Sequence, residues 1–199
     1  MIDFNEKMMR AALREAMKAE RKEEIPIGCV IAENGKIVAR AHNLRQTKRI
    51  ATAHAEILAI EKACRKKKDW RLPDAVMYVT LEPCAMCAGA IANARIGKVY
   101  FGAYEPKGGG VCSKFSILEE SGLNHVAEWE GGLLEEECSA ILKNFFRARR
   151  KKPAEKEKSG EETFGNPGCP GSEFVSLLFF FIQIQQKSKR TLIRLPTLV

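Results

Sequence analysis

The segment LEPCAMCAGAI, residues 81–91, determines how the rest of the chain is interpreted. Its two cysteines, Cys84 and Cys87, are three positions apart and follow Pro83, a residue favoured in the first turn of a helix. A spacing of three places both sulfur atoms on one face of that turn. A short apolar run, Val76 to Leu81, precedes the segment and is typical of a buried strand. The segment therefore predicts a strand-to-helix junction whose helix N-terminus favours the thiolate form of both cysteines.

A histidine and a glutamate, His54 and Glu56, open a second predicted helix about thirty residues upstream. Zinc binds thiolate and imidazole readily, and three protein ligands leave the fourth tetrahedral position open, as in catalytic sites. We expect His54, Cys84 and Cys87 to hold one Zn²⁺. Because two thiolates cancel the charge of the ion, it acidifies a bound water less than an all-histidine site would. Glu56 is the expected base that shares this work.

Each half of this pattern has other interpretations. A lone C-x-x-C can be a redox pair, and a histidine two residues before a glutamate is common on helices. A fourth ligand from Cys64 or Cys112 would make the site structural. The two halves in this order, H-x-E and then P-C-x-x-C, favour the catalytic interpretation, because together they form the zinc deaminase signature.

Further stretches extend this signature to most of the chain, which resembles the bacterial tRNA-specific adenosine deaminases. They follow one another in the order found in that family and cover residues 1 to about 152. The matching stretches are Ile25 to Gly28, Ala41 to Asn43, Thr52 to Ile57, Leu81 to Ile91, Phe101 to Ala103 and Asn144 to Arg150.

The resemblance implies a fold and a reaction. The expected fold is a three-layer α/β/α domain of the cytidine deaminase-like type, with a mixed sheet of about five strands. The expected reaction is hydrolytic deamination of adenosine to inosine at the wobble position of a tRNA anticodon loop, with one Zn²⁺ per subunit. A homodimer that contacts an anticodon stem-loop is the expected assembly.

The resemblance also assigns substrate contacts beyond the metal site. An asparagine is expected to hydrogen-bond the target base, two backbone amides to hold it, and a glutamate to face a flanking ribose. A phenylalanine and two arginines of the last helix are expected to contact the RNA. In that order these residues are Asn43, Ala55, Ala85, Glu105, Phe146, Arg149 and Arg150.

Two short segments depart from the family pattern. Tyr104 and Glu105 stand where the family usually carries a basic residue and an aspartate. The side chain of Glu105 is one methylene longer than that of the aspartate it replaces. Ile50 and Ala51 stand near the place of an acid–proline pair. The first departure lies in the loop that the resemblance places beside the nucleotide, and the second bears on the shape of the loop that leads into the metal helix.

The residue pattern independently predicts the sheet. Asn34-Gly35 is a strong hairpin signal, and the strand–helix–strand segments that follow favour parallel pairing. We expect the metal ligands at the carboxyl ends of neighbouring strands. The predicted strands are 27–33, 36–41, 76–81, 98–103 and 125–130, and the predicted long helices are 2–22, 52–65, 83–94 and 133–150.

The composition of the 199 residues limits location and partners. The formal net charge of +8 suits an RNA partner, although many proteins that bind no nucleic acid share it. An odd number of cysteines, seven, fits reduced thiols better than a disulfide framework. The chain starts without an apolar run, so we expect a cytoplasmic protein without a membrane segment.

The composition changes after Lys152, which divides the expected deaminase domain, residues 1–152, from a tail, residues 153–199. The tail begins rich in Glu, Lys, Gly, Pro and Ser, a composition typical of disorder. Its apolar run, Phe174 to Ile184, is too short to span a membrane, since a spanning helix needs about 20 residues. We assign the tail no function.

Two other functions remain open at this stage. A deaminase of a free base or nucleoside, such as guanine, cytosine or cytidine, would share every zinc residue. A non-catalytic, zinc-bearing RNA-binding subunit would share the metal site but has no use for Glu56, so the presence of Glu56 counts against it.

Overall fold

The computed structural model describes residues 3–120 and 123–151, and its sheet starts at the predicted hairpin. Strands β1 (Gly28–Glu33) and β2 (Lys36–His42) are antiparallel. Asn34 and Gly35 between them both have positive φ, 50° and 72°. Two such residues are what a type I′ turn requires, and Asn-Gly supplies them with little steric cost. The hairpin prediction is confirmed.

Three more strands complete a mixed sheet in the order β2-β1-β3-β4-β5. These are β3 (Ala75–Leu81), β4 (Lys98–Ala103) and β5 (Glu128–Glu130). β1 pairs with β3 antiparallel, whereas β3 with β4 and β4 with β5 are parallel. The five predicted strands are thus present, with β5 at the edge and starting three residues later than predicted. His125 lies outside β5, and its ring contacts the carbonyl oxygen of Ile96 at 2.8 Å.

Helices cover both faces of the sheet, which confirms the predicted three-layer α/β/α fold. On one face, helices α1 (Phe4–Glu20) and α6 (Glu135–Lys151) pack over Val30, Tyr78 and Tyr100. The opposite face of the same strands packs against α3 (Ala55–Lys67) and α4 (Ala85–Asn93). The strands alternate their side chains between these two apolar layers, as a pleated sheet requires.

Two short helices lie in the connections, α2 (Arg45–Lys48) and α5 (Ile117–Glu120). Neither short helix is among the elements predicted from the sequence. Within the described residues, no helix is long and apolar enough to cross a membrane. The predicted boundary at Lys152 and the apolar run of the tail lie outside the described residues.

Two features of the site-bearing edge differ from the predictions. The strands that lead to the two ligand segments, β2 and β3, are not neighbours, because the hairpin places β1 between them. The intervening strand β1 begins at this edge with Gly28. Any side chain at Gly28 would overlap backbone atoms of Ala12 and Ala16 in α1, so a glycine is required there. In addition, α3 and α4 begin at Ala55 and Ala85, two or three residues later than predicted. The residues directly before them, His54 and Cys84, have extended backbone and are two of the three predicted metal ligands.

Candidate metal centre and active site

His54 and Cys84 occupy the same structural position on two different helices. Each is the N-cap residue, with extended backbone at φ −75°, ψ 155° for His54 and φ −70°, ψ 172° for Cys84. Neither side chain forms a cap hydrogen bond with its own helix. Both are therefore available to a ligand, and the positive ends of two helix dipoles point at the same place. Cys87 follows in the first turn of α4, on the face predicted by the spacing.

The three predicted ligand side chains form a compact cluster. The Nδ1 atom of His54 lies 3.7 Å from Sγ of Cys84 and 3.6 Å from Sγ of Cys87. One ligand atom from each residue falls within 4.8 Å of the others. In the part of the chain that the structure describes, neither Cys64 nor Cys112 belongs to this cluster. Two sulfurs and one imidazole nitrogen are a donor set that suits a divalent metal with an open position.

The electrostatics of the cluster also favour a cation. The hydrogen bond from the Cys87 thiol lowers the pKa of Cys84 to about 4, and His54 assists. That same hydrogen bond to Cys84, together with burial, raises the pKa of Cys87 far above its ordinary value. The hydrogen bond with Cys84 raises the pKa of His54. The lowered pKa of Cys84 favours its thiolate, which is the form in which a cysteine binds a metal.

Glu56 lies beside this cluster but is not one of its ligands. It is the second residue of α3 and only 4% exposed. Burial raises its pKa above the ordinary value. Its Oε2 atom has no hydrogen-bond partner among the described residues, although buried polar atoms nearly always have one. A buried oxygen of this kind fits a site whose missing partner is water or substrate.

Asn43 lies at the end of β2, connected to the metal segment through the backbone. The amide of Leu44, directly after Asn43, donates to the carbonyl of Ala53, directly before His54, at 3.0 Å. Asn43 is 2% exposed, and its amide nitrogen donates to Oε2 of the buried Glu24 at 3.1 Å. Sequence reasoning missed Glu24, and only its place within the EEIPIG stretch could have drawn attention to it.

The two residues predicted to offer backbone amides occupy equivalent places. Ala55 is the first residue of α3 and Ala85 the first residue of α4. Ala55 is fully buried, whereas Ala85 is exposed. At a helix N-terminus the first amides have no partner within the helix, so both can face a bound group.

The glycine-rich loop after β4 is anchored by Glu82, a residue that the sequence reasoning also missed. Glu82 is 2% exposed and accepts hydrogen bonds from the amides of Glu105, Cys112 and Ser113 at 3.0, 2.9 and 2.9 Å. The amide of Val111 and the Ser113 hydroxyl bind it as well. A carboxylate directly before Pro83-Cys84, followed later by three glycines, was the available signal.

The glycines allow this anchoring because the loop passes very close to the cysteine segment. A side chain at Gly109 would overlap the Glu82 carboxylate, and one at Gly110 would overlap the backbone of Cys84 and Ala85. The amide of Gly110 donates to the carbonyl of Pro83 at 2.7 Å. The loop is thus fixed against the metal-binding segment rather than left as a free surface turn.

Two of the predicted RNA-contacting residues meet at one groove. Glu105 and Phe146 line a space of about 280 Å³ between the strand ends and α6, together with Ile25 and Leu81. Phe146 is 43% exposed. Arg149 and Arg150 lie further along α6 and do not line this groove; both are exposed, and Arg149 stacks over Phe145 at 5.6 Å.

Known proteins share both the fold and the sequence of this chain. The model of the MafB19-like deaminase family matches residues 4–150. The tRNA-specific adenosine deaminase of Bacillus subtilis is 51% identical over 158 residues, 79% of this chain and 98% of that protein. The Aquifex aeolicus protein of the same name is 46% identical over 145 residues, covering 73% and 95%.

Solved structures are also similar to this chain. A chain from a study of A-to-I editing by tRNA:A34 deaminases superposes with a TM-score of 0.67 at 43% identity, covering 68% of this chain and 99% of that one. The guanine deaminase of Nitrosomonas europaea superposes with a TM-score of 0.62 over 70% of this chain and 83% of its own. At 22% identity, that second likeness speaks for the fold alone.

The mixed sheet and the His-Cys-Cys cluster with its adjacent glutamate define the class of cytidine deaminase-like hydrolases. Within that class, the extent of the sequence match decides the family. The chain belongs to the bacterial tRNA-specific adenosine deaminases.

The anchoring role of Glu82 predicts a pH-dependent contribution to stability. Burial acts to raise the pKa of Glu82, but the hydrogen bonds from Cys112, Glu105 and Ser113 outweigh it and hold the pKa below 4.5. A carboxyl whose folded pKa is depressed stabilises the fold above its unfolded pKa and loses that effect as pH falls. Glu82→Gln should therefore lower the free energy of unfolding by about 2 kcal/mol or more at pH 7.

Urea unfolding at several pH values tests this prediction. The stability difference between Glu82→Gln and the unmodified protein should narrow as pH falls below about 4.5. The exposed Glu20→Gln is the matched control and should change stability by less than about 0.5 kcal/mol. A difference that stays constant from pH 7 to pH 3 would contradict the anchoring role.

Proposed function

We propose that this chain is a zinc enzyme that converts adenosine to inosine at the wobble position of a tRNA anticodon loop. The observation that supports this most is the His54, Cys84 and Cys87 cluster with the Glu56 carboxylate beside it, whose Oε2 atom has no hydrogen-bond partner among the described residues. The sequence match to tRNA-specific adenosine deaminases supports the choice of substrate.

Zinc is the metal that this donor set favours. His54, Cys84 and Cys87 would hold it, since thiolates and imidazole suit Zn²⁺ and three protein ligands leave room for a fourth. When bound, zinc supplies Lewis-acid activation of water, which produces a nucleophile at neutral pH.

Glu56 moves the protons in the proposed reaction. Its carboxylate takes a proton from the attacking water and transfers it to the purine ring as the new C6–O bond forms. Glu56 then takes the proton of the new C6 hydroxyl group and delivers it to the amino group at C6. The C6–N bond breaks, the C6 carbonyl of inosine forms, and ammonia leaves. The raised pKa of Glu56 supports both roles, because such a carboxyl exchanges protons more readily near neutral pH.

The base would be held by groups at the ends of β2, α3 and α4. We assign base recognition to the Asn43 side chain and to the backbone at Ala55 and Ala85. The burial of Asn43 and the helix-terminal positions of the two alanines support this assignment. A loop nucleotide suits the site, since extruding an unpaired base costs less than opening a stacked pair.

Neighbouring nucleotides would bind between the glycine-rich loop and α6. The groove lined by Glu105 and Phe146 has the apolar walls and exposed aromatic ring that a splayed base requires. Glu105 would face the flanking ribose, and Arg149 and Arg150 would contact phosphates. Their exposure on one end of α6 supports this assignment.

We further propose that two copies of the chain form a homodimer through α4. Ala85 and Met86 are exposed on that helix, and the space around Gly89 is open. Exposed apolar and small residues on a helix beside the active site suit a close contact between two helices. Sedimentation of the full chain should show a species of twice the chain mass, and a purely monomeric species would contradict the dimer.

The remaining assignments concern location and chain organisation. Reduced thiol ligands and a tRNA substrate support a cytoplasmic enzyme, which cell fractionation can check. We propose that residues 1–152 form the catalytic domain and that residues 153–199 are an extension without an assigned role. Comparing the activity of the full chain with that of residues 1–152 tests this division.

The substrate panel is the direct test of the proposed function. The zinc-loaded full chain should form inosine in an anticodon stem-loop that carries a wobble adenosine. It should act far more slowly on free adenosine, cytidine, cytosine and guanine. Turnover of a small molecule alone would keep the metal chemistry and contradict the RNA substrate.

Replacing Glu56 tests the proton transfers. Glu56→Ala should retain zinc and stem-loop binding but lose turnover by several orders of magnitude, since one carboxylate handles each transfer. The control is Glu61→Ala on the same helix, half-exposed and paired with Arg65, which should keep its activity. Undiminished inosine formation by Glu56→Ala would contradict the mechanism and favour a different proton acceptor.

Variants of α6 test the RNA surface. Phe146→Ala should weaken stem-loop binding by about 1 to 3 kcal/mol if one base stacks on the ring. Arg149→Gln with Arg150→Gln should reduce the salt dependence of binding, by a slope of about 0.7 per lost phosphate contact. Phe4→Ala and Arg65→Gln, both exposed and remote from α6 in sequence, are the controls. Unchanged affinity and salt slope would reduce this end of α6 to a solvated surface.

A further inference from the structure

Glu24 is a fully buried carboxylate that the proposed chemistry leaves without a role. It follows α1 in the chain, is 0% exposed, and has both of its oxygens occupied. Oε2 accepts the side-chain amide of Asn43 at 3.1 Å, and Oε1 accepts the backbone amide of Thr47 at 2.7 Å. Burying a charged carboxylate this completely costs free energy unless it is hydrogen-bonded, so both contacts are needed to offset that cost.

The first contact fixes the orientation of the Asn43 side chain. The oxygen and nitrogen ends of an asparagine amide have nearly the same shape, so packing alone does not choose between them. An ionised carboxylate only accepts hydrogen bonds, which obliges Asn43 to turn its –NH₂ group toward Glu24. The Oδ1 atom of Asn43 and its second N–H are thereby left to bind another group.

The second contact holds the segment that follows Asn43. Thr47 is the third residue of α2, a position whose amide lacks a partner within the helix. The N-cap residue of α2 is Leu44, which has no side chain able to bind that amide. Glu24 therefore provides from a distance the cap that α2 lacks. Its pKa stays below the ordinary value, because the Thr47 and Gln46 amides outweigh the opposing effect of burial.

We propose that Glu24 is a positioning residue for recognition of the target base. It selects which polar atoms Asn43 presents to the substrate, and it keeps α2 attached to the same carboxylate. This inference rests on the proposed function, in which Asn43 binds the base. Glu24 itself does not touch the substrate.

Glu24→Gln tests this role with almost no change in size. Glutamine has a single acceptor oxygen in place of two. When that oxygen accepts from the Thr47 amide, the –NH₂ group faces Asn43, so the two amides conflict or Asn43 reverses. On the anticodon stem-loop we expect kcat to fall at least tenfold while KM changes less than threefold, since RNA contacts on α6 remain. Zinc content should be unchanged. The matched control is Glu15→Gln, 4% exposed and bonded to His42 and Lys18, which should change kcat less than threefold.

A double-mutant cycle separates positioning from general stability. In an Asn43→Ala background, Glu24→Gln should have less than a threefold further effect, because no amide remains to be oriented. Independent, multiplicative losses would overturn this inference alone and leave the proposed function intact. Full activity of Asn43→Ala would remove the role of Asn43 in the proposed function and this inference with it.

A second variant, which exchanges the carboxylate and the amide between positions 24 and 43, tests the proposal if Glu24→Gln folds poorly. In the Glu24→Gln, Asn43→Asp double variant, glutamine can accept from Thr47 and donate to the new aspartate, so the thermal midpoint should recover. Turnover should stay at least tenfold low, because the aspartate offers the base no N–H donor. Recovery of turnover together with stability would overturn the proposal that amide orientation matters.

Discussion

The buried carboxylate of Glu82 is the interaction on which both sides of the site depend. Glu82 directly precedes Pro83 and Cys84, and it accepts hydrogen bonds from several amides of the glycine-rich loop after β4. The segment that carries Cys84 and the glycine-rich loop thus share one anchor. Gly109 and Gly110 permit it, because side chains there would overlap Glu82 or the start of α4. The loop is therefore held directly against the segment that contains the predicted ligands Cys84 and Cys87.

The hairpin imposes the second constraint. By inserting β1 between β2 and β3, it separates the strands that lead to His54 and Cys84. The two N-caps still converge, with sulfur and imidazole atoms less than 4 Å apart. Gly28 begins β1 at this edge, and the absence of a side chain lets α1 pack against the backbone there. Its amide donates to the Thr80 hydroxyl at 3.1 Å, which ties the hairpin to β3.

The sequence predicted the parts that depend on local pattern. Cysteine spacing, the Asn34-Gly35 turn and the apolar strands each follow from neighbouring residues, and each is confirmed in the fold. Glu24 and Glu82 could not be predicted in this way, because their partners lie about 20 to 30 positions away. The late start of α3 and α4 was also missed, since propensity does not reveal that a ligand residue serves as the cap.

The buried carboxylates of the described residues differ in their hydrogen bonding, and this difference supports Glu56 as the proton-transfer group of the proposed reaction. Glu15, Glu24 and Glu82 are each hydrogen-bonded, and those bonds hold each pKa below its ordinary value against the effect of burial. Glu56 differs, because burial raises its pKa and its Oε2 atom has no partner in the described part of the chain. The three bonded carboxylates remain charged and hold the structure. Glu56 keeps an unpartnered oxygen beside His54, Cys84 and Cys87, which supports the proton transfers proposed for it.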